Sequence, residues 1–210
     1  MLSPSDIFSL YRPSRCERRI FLRSHGEPEG EQGEFDKLIE ELGRRHEHNH
    51  LSTFPEVLNL SDGSFQNRAR RTADAMKNST PVIYQGVFIS DAPSLGVSVV
   101  GIPDFIIREG TEYKIRDCKL SRHVGPGHHE EIVLQLQIYG WLFEQIIRRP
   151  PAKLEVYLGD QSIAQLPYTG GDEVLTLLRK ILELSRLSDD TEWHGERGSH
   201  FMDRRRVHLF

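Results

Sequence analysis

Residues 97–120 read VSVVGIPDFIIREGTEYKIRDCKL, and this stretch decides the fold. The run 97–107 is apolar and rich in β-branched residues, and 112–120 has strand character of its own. Between them, Glu109 and Gly110 fit a short hairpin connection. A strand projects alternate side chains to one face, so Asp117 and Lys119 point together while Cys118 faces away. Asp104 sits at the end of VSVVGIPD, on the preceding strand. Two carboxylates and an ammonium on neighbouring strands can hold a divalent cation and polarise a water beside a phosphodiester.

Working outward, 82–89, 153–158 and the edge segment 162–167 read as further strands, and 91–96 fits a second hairpin turn. The N-terminal run DIFSLYRPSRCERRIFL is helical, opened by Ser3 or Ser5 and divided into two short helices by Pro13. A Gly/Glu-rich loop over 27–33 precedes an amphipathic helix over 35–48, with Phe35, Leu38, Ile39 and Leu42 at helical spacing. A shorter helix is expected over 67–77, and a long one over 130–147 that Pro150 and Pro151 terminate. In the long helix Ile132, Val133, Leu136, Tyr139, Gly140, Phe143 and Ile147 share a face. A final helix over 172–185 is opened by Asp172 as its cap. Helices, an antiparallel meander, then helix and strand predict an α/β fold with a central mixed sheet flanked by helices. The domain is expected over 1–187, followed by a polar tail over 188–210 that ends DRRRVHLF and is expected to be poorly ordered.

With 210 residues there is enough chain for one full core and no need of a second domain. No apolar stretch reaches membrane-spanning length and the N-terminus lacks a signal-peptide pattern, so a cytoplasmic protein without membrane partners is expected. Two distant cysteines, Cys16 and Cys118, argue against a disulfide framework and a zinc cluster. A net charge of -4 does not advertise nucleic-acid binding, but local fields matter more than totals. Basic residues cluster at Arg12, Arg15, Arg18, Arg19 and Arg23, at Arg68, Arg70 and Arg71, and at Lys119, Arg122 and His123. Each cluster alone reads as a solvated face; converging on an acidic site, they would track phosphates.

GIPDFII followed by YKIRDCKL resembles the PD-(D/E)XK nucleases, in which an Asp-x-Lys completes a metal site begun by an Asp on the preceding strand. Gly43 and His46, in GRRHE, match the G-x-x-H setting of the RecB-like branch. Gln135 and Tyr139, in LQLQIYGWL, match its Q-x-x-x-Y pattern on the following helix. The opening SPSDIFSLYRPSRCERRIFL and the segment TADAMKNSTPVIYQGVF look like relatives of the CRISPR-adaptation nucleases. The resemblance implies a restriction-endonuclease-like fold. Many such relatives carry an iron–sulfur cluster on one early and three late cysteines. Cys16 occupies the early position and the late three are missing, so no iron–sulfur cluster is expected.

By that resemblance, His46, Asp104 and Asp117 would be metal ligands, with the backbone carbonyl of Cys118 a fourth. Oxygen-dominated coordination suits Mg²⁺ or Mn²⁺. Lys119 would orient or help deprotonate the attacking water and stabilise the transition state, while Gln135 and Tyr139 would position the DNA strand. Glu47, next to His46, is expected to turn to solvent. The implied activity is a metal-dependent DNA nuclease of repair, recombination or defence, acting on single strands or duplex ends. The alternative is an inactive DNA-binding or structural module that keeps the fold; the intact Asp, Asp and Lys set argues against it.

Overall fold

The computed structural model describes residues 1–11, 16–27, 30, 33–125 and 127–188. Its elements in chain order are α1 (Pro4–Tyr11), α2 (Glu17–Ser24), α3 (Glu34–Leu51), β1 (Leu58–Asn59), α4 (Phe65–Lys77), β2 (Val82–Tyr84), β3 (Phe88–Ala92) and β4 (Val97–Gly101). They continue through β5 (Phe105–Glu109), β6 (Glu112–Cys118), α5 (Glu130–Ile147), β7 (Leu154–Tyr157), β8 (Ile163–Leu166) and α6 (Asp172–Ser185). None of the described helices is long and apolar enough to cross a membrane. The expected tail falls, but for Ser188, outside the described residues, as does Pro13 between the two N-terminal helices.

The main sheet has the order β1-β2-β5-β6-β7-β8. Its pairing is mixed: β1 with β2 and β6 with β7 run parallel, while β2–β5, β5–β6 and β7–β8 are antiparallel. Parallel β6 and β7 need a crossover, and α5 supplies it. The β5–β6 hairpin closes tightly, Glu109 pairing with Glu112. Two expected strands are each broken in two. The run 82–89 divides into β2 and β3, and 97–107 into β4 and β5. The meander is therefore not continuous, because β3 and β4 pair with each other in a separate two-stranded sheet. The two-residue β1 carries too short a pattern to stand out in the sequence.

Period-2 alternation distributes the sheet between two layers. Ile83, Ile106, Tyr113, Ile115, Leu154 and Val156 face the larger core, where α5 lies. Val82, Phe105 and Ile107 face a smaller cluster completed by Leu51, Phe54, Val57, Tyr84 and Cys118. The α5 helix is apolar nearly all round, and Leu136, Ile138 and Leu142 are fully buried, so it is a core helix rather than a surface one. Ser64 caps α4, its Oγ accepting the Asn67 N–H at 3.3 Å. Asp172 does not cap α6: it is the first helical residue, and the cap position falls to Gly171, which makes no side-chain cap bond.

On the α3 side, alternation places charge where the smaller core would otherwise be apolar. Arg116 pairs in register with Glu155, both buried, and gives Glu155 Oε2 hydrogen bonds from Nε at 2.8 Å and Nη2 at 2.5 Å. Arg116 Nη1 lies 3.0 Å from His50 Nε2, and the His50 ring stacks on Tyr157 at 3.8 Å between centroids. Burial, with the charges of Arg116 and His46, lowers the His50 pKa from 6.5 to about 4. Neutral His50 accepts from the guanidinium. The unfolded chain takes up this proton near pH 6.5 and the folded one only near 4, so this contribution is present above pH 6.5. It is lost as pH falls through that window. The expected loss is about 1–2 kcal/mol once solvent screening is allowed for. Urea melts between pH 7 and 4 will show it as a slope that His50→Gln removes.

Candidate active site

The site forms where β5 begins and β6 ends. Residues 102–104 separate β4 from β5, so Asp104 stands on a break rather than at the end of one long strand. Pro103 lacks an amide hydrogen for a ladder bond, which suits this interruption. Both Asp104 carboxylate oxygens are held: Oδ2 accepts the Cys118 N–H at 2.7 Å, and Oδ1 accepts the Gln85 side-chain amide at 3.0 Å. Asp117 lies on the core face of β6, buried, with Oδ2 at 2.6 Å from the Lys119 ammonium. Lys119 follows the strand directly, and its Nζ sits 5.4 Å from the centroid of the Phe8 ring on α1. Cys118, facing the other layer, packs against the smaller core and presents its backbone to Asp104.

Glu47 corrects the sequence reading. Instead of turning to solvent, its Oε1 accepts the Gln85 amide at 2.7 Å, and Glu47 lies close enough to Tyr84 to add to the rise that burial causes in the Tyr84 pKa. Three carboxylates thus gather: Asp104 and Glu47 share one amide, and Asp117 is close enough to perturb Asp104. His46 is engaged elsewhere. Its Nε2 lies 3.2 Å from the Tyr157 carbonyl, which also accepts the Lys119 N–H at 2.9 Å, and its ring stacks on Tyr157. Among the described residues, no three His, Cys, Asp or Glu side chains are grouped so as to hold a metal ion by themselves.

The electrostatics follow from the crowding. Burial, then the negative charges of Asp117 and Glu47, push the Asp104 pKa well above its ordinary value, against the opposing pull of Lys119 and the Cys118 N–H. For Lys119, burial works against the ammonium, but Asp117 and Asp104 outweigh it and raise the pKa. Burial and the same carboxylates push the Cys118 thiol up, so it stays protonated and unreactive.

Gln135 and Tyr139 are both buried on α5. Gln135 Nε2 donates to the Tyr139 hydroxyl at 2.7 Å, and that hydroxyl donates to the Ile102 carbonyl at 3.1 Å. The pair therefore ties α5 to the backbone two residues before Asp104. Gln135 Oε1 is buried and has no hydrogen-bond partner among the described residues. The close approach rests on Gly101: a Cβ there would stand 2.6 Å from Leu142 Cδ1 and 2.9 Å from Tyr139 Cδ1.

The basic clusters divide. Arg12 and Arg15 lie outside the described residues. Arg68 leaves its cluster for the interior, where Nη2 donates to the Gln85 carbonyl at 2.7 Å, while Arg70 and Arg71 remain exposed. Arg122 and His123 are exposed just beyond Lys119. Neither Glu47 nor Gln85 was singled out from the sequence as a site residue. Beside Gln85, Gly86 has its reason in the structure: an added Cβ there would meet Ile106 Cδ1 at 2.6 Å.

The model of the PD-(D/E)XK nuclease superfamily matches residues 14–197. Among solved structures, a candidate exonuclease from Eubacterium rectale aligns over 93% of this chain and 84% of its own, at 15% identity and a TM-score of 0.54. That likeness shows the fold. SSO0001 aligns over 73% of this chain and 88% of its own at 17% identity, but its TM-score of 0.37 is too low to carry weight. No curated protein matches the sequence. With the family model covering most of its length, the chain belongs to the PD-(D/E)XK nuclease superfamily.

Proposed function

We propose that the protein is a divalent-metal-dependent nuclease hydrolysing DNA phosphodiester bonds, of the RecB-like branch. One observation carries the reading: Asp104, Asp117 and Lys119 gather at the junction of β5 and β6 in a chain of a nuclease superfamily. The Gly43–His46 and Gln135–Tyr139 spacings favour the RecB-like branch, and DNA repair, recombination or defence would be the setting.

The site fits a hard cation. Burial first, then the charges of Asp117 and Glu47, raise the Asp104 pKa, so a positive charge placed there would offset both. Nucleases of this superfamily typically use divalent metals. Mg²⁺ keeps several waters and is bound through one or two carboxylates, a demand that Asp104 and Asp117 would meet. Asp104 and Asp117 would hold it, with the Cys118 carbonyl beside them and Glu47 adding negative charge. His46 would join by leaving the Tyr157 carbonyl, and a nitrogen ligand would widen the choice to Mn²⁺. Bound there, the ion lowers the pKa of a water and offsets charge on phosphate oxygens.

The chain's own groups do the rest. Lys119, whose ammonium the Asp117 and Asp104 charges favour against the cost of burial, would orient or help deprotonate the attacking water and stabilise the developing negative charge. Tyr139 and Gln135 hold the backbone segment that presents Asp104, and would position the DNA strand through it. Arg122 and His123 would meet the phosphates of a strand leaving the site.

The test is cleavage of linear and circular DNA, single- and double-stranded, with Mg²⁺, Mn²⁺ or EDTA. We expect cutting with either ion and none in EDTA. Asp117→Asn should lose roughly a hundredfold or more in metal affinity and cleavage, since it removes a proposed ligand rather than a supporting group. Wild-type protein that binds DNA but never cuts it would instead favour the inactive module.

A further inference from the structure

We propose that Gln85 is a positioning residue for the metal site, holding Glu47 and Asp104 together through its side-chain amide. The inference rests on the site assignment above and adds a residue that the Asp-x-Lys pattern does not contain. Gln85 follows β2 in a left-handed backbone conformation, φ 54°, which residues other than glycine rarely adopt. Such strain persists where surroundings over-determine it, and it concentrates at functional sites.

Here the surroundings are explicit. Gln85 N–H donates to the Asp104 carbonyl at 2.9 Å, and the Gln85 carbonyl accepts Arg68 Nη2 at 2.7 Å from a buried guanidinium. With the backbone held from both sides, the side chain starts from a fixed point between α3 and β5. Its amide gives one hydrogen to Glu47 Oε1 at 2.7 Å and one to Asp104 Oδ1 at 3.0 Å.

The choice of an amide has a chemical reason. Two carboxylates brought together repel each other, and one of them responds by taking up a proton. A lysine between them would neutralise the pair and compete with a cation. A glutamate would add to the repulsion. An amide donates two hydrogen bonds, carries no net charge, and orients both carboxylates. Outer partners of this kind fix ligand orientation, and their loss typically costs 10–100-fold in metal affinity. The strained residue at the break between β2 and β3 then has a purpose: it aims a neutral double donor at the gap between α3 and β5.

The experiment separates amide from backbone. Gln85→Gly removes the amide and relaxes the left-handed turn, so the fold should keep or gain stability. Gln85→Asn retains an amide on a residue that tolerates this conformation. Mn²⁺ affinity is measured by titration calorimetry on metal-free protein, alongside metal-free melting temperatures. We expect Gln85→Gly to bind Mn²⁺ roughly 10–100-fold more weakly with an unchanged or higher melting temperature, Gln85→Asn to recover part of that loss, and cleavage by Gln85→Gly to return at saturating Mn²⁺. Unchanged affinity in Gln85→Gly overturns the proposal. So does an affinity loss that comes with a fall in melting temperature, which marks a fold defect. Wild-type protein that binds no Mn²⁺ or Mg²⁺ overturns the metal-site assignment itself, a result distinct from either.

Discussion

Lys119→Ala will lose roughly 10²–10³-fold in cleavage rate while binding the divalent ion at least as tightly as the wild type. The two effects separate because the ammonium acts on the reacting groups and is not itself a ligand of the ion. Its Nζ pairs with Asp117 Oδ2 at 2.6 Å, and the carboxylates keep it charged. Removing a donor aimed at developing charge costs about 3–4 kcal/mol of transition-state stabilisation. At the same time a positive charge disappears from beside a cation site, so metal affinity is preserved or rises by Coulomb's law. The measurement is single-turnover cleavage with Mn²⁺ together with calorimetric metal affinity on the same preparation. Unchanged cleavage would remove Lys119 from the mechanism, and lost metal affinity would make it a structural member of the cluster.

The largest stability effect is expected on the other face of the sheet. Glu155→Gln keeps the shape of the side chain but removes the counter-charge of Arg116, which is 6% exposed, and of Lys114, whose Nζ lies 3.3 Å from Glu155 Oε1. A buried guanidinium left without its carboxylate typically costs about 3–5 kcal/mol. For a chain of this size each kcal/mol lowers the melting temperature by roughly 2–4 °C, so a fall of about 10 °C is expected. Replacing both charges, as Arg116→Met with Glu155→Leu, should restore much of the loss, because a well-packed apolar pair avoids the desolvation of two ions. A double mutant no more stable than the single would mean that the charges specify how α3 docks on the sheet. Cleavage should change little in either variant below its melting temperature, since none of these groups reaches the carboxylate cluster.

Much of this architecture was visible in the chain. The alternation of 112–120 put Asp117 and Lys119 on one face, and the structure pairs them. The crossover helix was read within its observed bounds because its apolar content is dense and two prolines stop it. The strand breaks at 85–87 and 102–104 were not legible, because each lies inside an apolar run and differs from its flanks only by glycine, proline or a single polar residue. The α3 helix misled in another way. Its apolar stripe of Phe35, Leu38, Ile39 and Leu42 suggested the packed face, yet these residues are 56%, 54%, 43% and 40% exposed. The packed part of α3 is its polar C-terminal half, around His46, Glu47 and His50.

What the sequence by itself determined is therefore the local chemistry: the Asp-x-Lys at one strand end, the amide and hydroxyl four residues apart on one helix, and the family to which these spacings belong. Periodicity is a property of backbone geometry within a single element, so a one-dimensional pattern can carry it. Only the tertiary structure decided that Glu47 joins the carboxylates, that His46 turns to the Tyr157 carbonyl, and that Gln85 bridges two elements. Glu47 and Asp104 reach Gln85 across separations of 38 and 19 residues. Such encounters depend on where a helix comes to rest against a sheet and on which buried charges find partners. Those outcomes are set by desolvation and packing summed over the whole core, and no single segment contains them.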